Sequence, residues 1–171
     1  MRKSILFMFL LFAIGVTANA QKFALIDMEY ILSNIPAYER ANEQLDQFSK
    51  VWQSEVEKIS EEAKTMYKEY QSKIATLSEE QRGKREEAII EKEKAASELR
   101  RQYFGPEGEL YAKRESLMKP IQDDIYDVVK EIATQKGYSV VVDRASASSI
   151  IFASPSIDIS NEVLAKLGYS N

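Results

Sequence analysis

The feature that most constrains this chain is a run from Ala37 to Gln81 that contains neither glycine nor proline. Along it the apolar residues fall at Tyr38, Ala41, Leu45, Phe48, Trp52, Val56, Ile59, Ala63, Met66, Tyr70, Ile74 and Leu77, in steps of three and four. Five successive steps advance about 18 residues, or ~3.6 per turn. This is the period of a nearly straight α-helix rather than the ~3.5 of a strongly supercoiled seam. A helix of ~39 residues would reach ~58 Å at ~1.5 Å per residue. That is far beyond an ordinary globular helix, so the fold must accommodate a rod with one apolar stripe.

The rod should turn back on itself. Ser78 followed three residues later by Gln81 is a capping-box pattern that starts a second helix. Its sparser stripe runs through Ala88, Lys92 (by its aliphatic stem), Ala96, Leu99 and Tyr103. A turn at Thr76 to Glu79 therefore predicts an antiparallel helical hairpin with highly charged outer faces. Arg82, Lys84 and Arg85 cluster at its tip, where solubility is the preferred reading and a binding patch the alternative. Gly105-Pro106-Glu107-Gly108 then breaks the return helix. Counted back from Leu77, the break lies opposite Phe48 to Lys50, so Gly105, Pro106 and Gly108 are candidate hinge residues on one helix of the pair. The helical stripe resumes at Leu110, Arg114, Leu117, Ile121, Ile125, Val128 and Ile132, with a kink expected at Pro120 and a C-cap at Gly137.

Shorter elements flank the rod. Lys22 to Asp27 reads as a strand, Asp27 as the cap of a short helix through Tyr30, Ile31 and Leu32, and Pro36 as a first-turn proline. Tyr138 to Asp143 and Ser149 to Ala153 read as two β-branched strands. A last helix follows, with Ser160 as N-cap, Ile159 stapled onto Leu164, and Gly168 at its end. The fold class is thus α+β and mostly helical: a small β-containing oligomerisation body, 21–36 and 120–171, interrupted by a helical-hairpin arm, 37–119. The two body segments total only about 70 residues, too few for a comfortable core of their own. With no cysteine for disulfides, and with strands apolar almost without alternation, the remedy is a core shared with other copies. This argument gives an oligomer and leaves its number open.

Residues 1–20 have the pattern of a cleaved export signal. Arg2 and Lys3 form the positive start, Ile5 to Val16 the apolar stretch, and Ala18-Asn19-Ala20 the cleavage site, so the mature chain should begin at Gln21. The whole chain carries a formal charge of −4, and losing Arg2 and Lys3 makes the remainder more acidic. Bulk attraction to nucleic acid or anionic lipid is therefore not expected, nor is stable membrane insertion of the mature chain. Without histidine or cysteine, the commonest zinc ligands and the commonest general base are missing. No glycine-rich phosphate loop occurs either. No catalytic residue, metal or cofactor is expected.

Several segments carry a family resemblance. Ala24-Leu25-Ile26-Asp27-Met28-Glu29-Tyr30-Ile31-Leu32 resembles the opening strand and helix of the Skp/OmpH family. Gly137 to Asp143 and Ile150 to Ile159 resemble its closing strands and loop, and Phe104 to Gly108 and Lys119 to Gln122 its junctions. The resemblance implies a periplasmic homotrimer with three arms around a cavity. It implies an ATP-independent holdase for unfolded outer-membrane proteins, with no catalytic residues. Well-known relatives are basic whereas this chain is acidic, so no lipid or lipopolysaccharide site is carried over. Candidate client contacts are Phe48, Trp52, Met66, Tyr67, Tyr70, Tyr103 and Tyr111. Phe48, Trp52, Met66 and Tyr70 lie on the main stripe and are expected to pack the two helices together, whereas Tyr67 lies off it and faces outward. The rival reading is a structural coiled-coil adaptor or spacer of the cell envelope.

Overall fold

The computed structural model describes residues 22–147 and 149–169. The export signal and the start at Gln21 lie outside the described residues. The chain opens with β1 (Lys22–Ile26) and α1 (Met28–Ser33), which Asp27 caps by accepting the Tyr30 N–H. Next comes α2 (Pro36–Lys73), a single helix of 38 residues with proline in its first turn. A 3₁₀ turn (Ile74–Thr76) leads to α3 (Glu79–Phe104), where Ser78 and Gln81 form both halves of the capping box. After the break come α4 (Glu109–Lys136) and β2 (Tyr138–Asp143); a 3₁₀ turn (Pro155–Ile157) precedes α5 (Ser160–Lys166).

β1 and β2 pair in parallel, with Ala24 opposite Val141 and Leu25 opposite Val142. Parallel neighbours require a crossover connection, usually a single helix. Here the crossover is the whole arm. The body core sits behind the sheet: Ala24, Ile26, Ile31, Ile35, Ile125, Ile132, Ile159, Val163 and Leu164 form one buried cluster. A second cluster of Ala41, Leu45 and Met118, with Ile121 and Tyr38 shared with the first, carries this packing up into the arm base. α4 is continuous across Pro120, so the boundary drawn between 119 and 120 falls inside one helix. Gly137 closes that helix with φ 69°, a conformation that favours glycine.

Three sequence expectations are corrected. The segment Ser149 to Ala153 is not a strand: Ile151 is 101% and Phe152 84% exposed. A strand is a pairing as much as a local preference. The edge of β1 away from β2 is met by Asp158, through an isolated bridge to Leu25 and an Ile159 N–H to Leu25 carbonyl bond of 2.9 Å. Ser149 to Ala153 finds no strand partner among the described residues. Second, Ser160 is the first residue of α5 rather than its cap. The cap position is Ile159, which has no side-chain oxygen to offer; Asp158 accepts from the Ser160 N–H at 2.9 Å and the Ser160 hydroxyl at 2.6 Å. Third, α3 buries Ile89 and Ala96, while Ala88, Lys92, Leu99 and Tyr103 are half-buried. The return stripe therefore centres nearer Ile89 than Ala88.

Candidate client-binding surface

The arm is held by an aromatic stack at its base. Phe48 stacks on Trp52 with ring centroids 5.4 Å apart, and Trp52 stacks on Tyr103 of α3 at 4.9 Å and 9°. Phe104 meets Tyr103 edge-on at 6.4 Å. Lys113 of α4 places its Nζ 5.0 Å above the Phe48 ring. Such contacts add about 0.5–1.5 kcal/mol per aromatic pair beyond area burial, so the stack helps to fix α2 against α3 at this level. The Tyr103 hydroxyl donates to Glu55 at 2.6 Å, and the bond to that carboxylate pushes the phenol pKa up. Nearer the tip the Tyr70 hydroxyl donates to Glu86, which raises its pKa for the same reason. Between these levels Lys92 pairs with Glu62 at 2.6 Å and lowers the pKa of that carboxyl.

The candidate contact residues separate into two groups. Trp52 and Tyr70 are buried, Phe48, Met66 and Tyr103 are half-buried, and all five lie along the seam between α2 and its neighbours. Tyr67 (48% exposed) and Tyr111 stand out into solvent. The structure adds exposed apolar residues that the stripe reading passed over: Val51, Ile90 and Phe104. Ile90 could have been suspected from its position beside Ile89, since adjacent helical residues cannot both face one seam. Of the three tip cations, Arg82 and Arg85 are half-buried, and only Lys84, paired with Glu80, is fully exposed.

At the break, Gly108 is buried and donates its N–H to the Gly105 carbonyl at 2.9 Å. A Cβ on Gly108 would lie 2.7 Å from the Gln102 carbonyl oxygen and 2.8 Å from that of Tyr103. A Cβ on Gly105 would lie 2.4 Å from the Arg101 carbonyl oxygen. Glycine is needed at both positions for close backbone approach.

A second polar assembly ties β1, β2 and α5 together in the body. Arg144 donates to Asp27 Oδ2 from Nη2 at 2.9 Å and from Nε at 3.1 Å, and its Nε lies 3.7 Å from Asp158. Asp143 accepts from the Met28 N–H at 3.0 Å and the Ala145 N–H at 3.1 Å. Burial acts to raise the Asp143 pKa, but these and the Ser146 hydrogen bonds outweigh it and hold the carboxyl below its ordinary value. A cavity of about 300 Å³ between Tyr30, Arg144, Pro155 and Asn161 adjoins this assembly. The charged side chains of this assembly, Asp27, Asp143, Arg144 and Asp158, all have hydrogen-bond partners within the body. No set of acidic side chains among the described residues is arranged to hold a metal ion.

With the arm and body defined, the chain can be set beside known proteins. The family described as "Outer membrane protein (OmpH-like)" matches residues 22–167. The chain belongs to the OmpH-like family. A solved OmpH-like structure, that of a putative outer membrane chaperone from Caulobacter crescentus CB15, superposes with a TM-score of 0.68. The match covers 90% of this chain and 88% of that one at 14% identity, so it speaks for the fold. Among curated proteins no sequence matches. The OmpH-like assignment agrees with the helical hairpin mounted on a small two-stranded sheet. No described helix is long and apolar enough to cross a membrane.

Proposed function

We propose that this protein is an ATP-independent periplasmic holdase, which binds unfolded outer-membrane proteins and keeps them from aggregating on their way to the outer membrane. The observation that carries this reading is the OmpH-like match over 22–167, on a fold whose largest element is a solvent-exposed helical arm. The export signal read at 1–20 agrees with a periplasmic location. A holdase needs many weak contacts and affinity for the unfolded state alone. Singly exposed tyrosines and aliphatic side chains on a long arm suit that need better than one deep pocket does.

The active form is a homotrimer, assembled through the body. Support comes from apolar residues that one copy leaves uncovered: Phe23 and Val140 on the sheet, and Ile151 and Phe152 beyond it. Three arms on one body raise the effective concentration of each weak site for a single client. Gly105 to Gly108 is the point about which each arm moves to accept clients of different volume. The protein uses no catalytic residue, metal or cofactor, and takes no nucleic acid or inserted lipid as partner. Under the adaptor reading, the protein would form a stable complex with one folded envelope protein and leave unfolded clients unaffected. Dilution of a urea-unfolded β-barrel protein, followed by light scattering, separates the two. Stoichiometric amounts of the mature protein, without nucleotide, should suppress the rise in scattering. Equal scattering with and without it would defeat the holdase reading.

A further inference from the structure

The exposed apolar side chains of the arm are not spread evenly around it. Helical residues advance ~100° each, so with Trp52 and Tyr70 taken as the centre of the buried stripe of α2, Tyr67 lies at about +60° and Gln53 at about +100°. Glu55, Glu62 and Val51 lie on the other side, at about −60°, −80° and −100°. On α3, measured from Ala96, Phe104 and Ile90 lie at about +80° and +120°, and Tyr103 and Lys92 at about −20° and −40°. Contacts fix which flanks meet. Tyr103 bonds Glu55 and Lys92 pairs with Glu62, so one flank of the hairpin is closed by polar links. On the opposite flank Phe104 and Arg100 share a cavity of about 220 Å³ with Gln53, Val56 and Glu57. Tyr67 and Ile90, 48% and 63% exposed, stand on that same flank farther out.

We propose that this apolar flank, carrying Tyr67, Ile90 and Phe104, is where extended segments of an unfolded polypeptide dock, and that the ion-paired flank takes no part. The proposal rests on the holdase reading and adds which side of the arm serves it. The spacing selects the occupant. A folded second copy would need a contiguous patch of several hundred Å², of the order of ~800 Å² per partner. Here the apolar groups are single and separated. From the level of Tyr67 to that of Val56 is ~16 Å along the helix, which ~5 residues of extended chain would span. The charge distribution points the same way. Gln53, Ser60 and Ser97 stand along this flank among Glu57, Lys64, Glu93 and Arg100, and no ion pair among the described residues links α2 to α3 there, so a segment settles without breaking one. On the other flank it would have to lie across the Lys92–Glu62 pair.

The chain has no cysteine, so single thiols can be placed at will. Lys64→Cys and Ser97→Cys report on the apolar flank, and Lys58→Cys and Ala95→Cys on the ion-paired flank. All four positions are exposed and outside the seam. Each variant, labelled with a benzophenone maleimide, is irradiated with a urea-diluted β-barrel protein, and cross-linked client is quantified. Yields several-fold higher at 64 and 97 than at 58 and 95 are expected. As a second readout, Tyr67→Gln combined with Ile90→Gln should weaken aggregation suppression, and Val51→Gln on the other flank should not. If the unmodified protein suppresses aggregation but yields are equal or reversed between flanks, the flank assignment is overturned and the holdase reading stands. If the unmodified protein fails to suppress aggregation, the holdase reading falls and this inference falls with it.

Discussion

Asp27 joins three elements through one carboxylate, which makes its replacement a measurable test of how the body is held. Its Oδ1 accepts the Tyr30 N–H at 2.9 Å and caps α1; its Oδ2 receives the Arg144 fork. Losing an N-cap carboxylate costs about 1 kcal/mol. The ion pair is worth less than its geometry suggests, because the Arg144 side chain is half exposed and screened by solvent. About 0.5–1 kcal/mol is appropriate for it. Asp27→Ala removes both and should destabilise by about 1.5–2 kcal/mol. Asp27→Asn keeps a capping oxygen and loses only the charge, so it should cost about 0.5–1 kcal/mol. With a urea slope of about 2 kcal/mol/M, the midpoints should fall by ~0.8–1 M and ~0.3–0.5 M respectively. Unfolding must be followed at one fixed protein concentration, since the midpoint of an oligomer depends on it. Equal shifts for the two variants would refute the division between cap and ion pair. No shift in either would refute the role of Asp27 altogether.

Four further outcomes follow from the body and the break. If the protein is the proposed trimer, Ile151→Ser with Phe152→Ser should reduce it to monomer by native mass measurement, while replacement of 40–115 by a short linker should leave it trimeric. A trimer that survives the first change would place the interface elsewhere. Replacing Gly105, Pro106 and Gly108 together by alanine should extend α3 into α4 and narrow the distribution of distances between spin labels at the arm tips. Gly108→Ala alone should instead destabilise the protein, because its Cβ meets backbone oxygens with no flexible side chain to yield; an unchanged tip distribution in the triple variant would show that the break does not move.

The arm was legible in the sequence because helix periodicity is a local signal repeated many times over. The stripe from Tyr38 to Tyr70, the capping box at Ser78 and the glycine at 137 each act through near neighbours, and each reappears in the structure. Where sequence reading failed, the deciding partner was distant. Ser149 to Ala153 has strand composition, but the edge of β1 is met by Asp158 instead. Ser160 looks like a cap, yet its hydroxyl accepts the Asp27 N–H across 133 positions at 2.8 Å and donates to Asp158. Arg144 gave no local sign of bridging Asp27 and Asp158, because all three meet only once β1, β2 and α5 are assembled. Among the contact candidates, the stripe identified what is packed. Exposed Phe104 emerged only from the phase of α3 against α2, whereas Ile90 was foreshadowed by its neighbour Ile89.

The proposed holdase must keep its client unfolded and give it up competent to fold. Its most direct test is the far-UV circular dichroism of a β-barrel client isolated in complex with the mature protein, with the protein's own spectrum subtracted, before and after addition of lipid vesicles. The client should remain soluble and lack β-barrel signal in the complex, then gain that signal when vesicles are added. A client that folds in the complex, or aggregates despite a stoichiometric amount of the protein, would contradict the account.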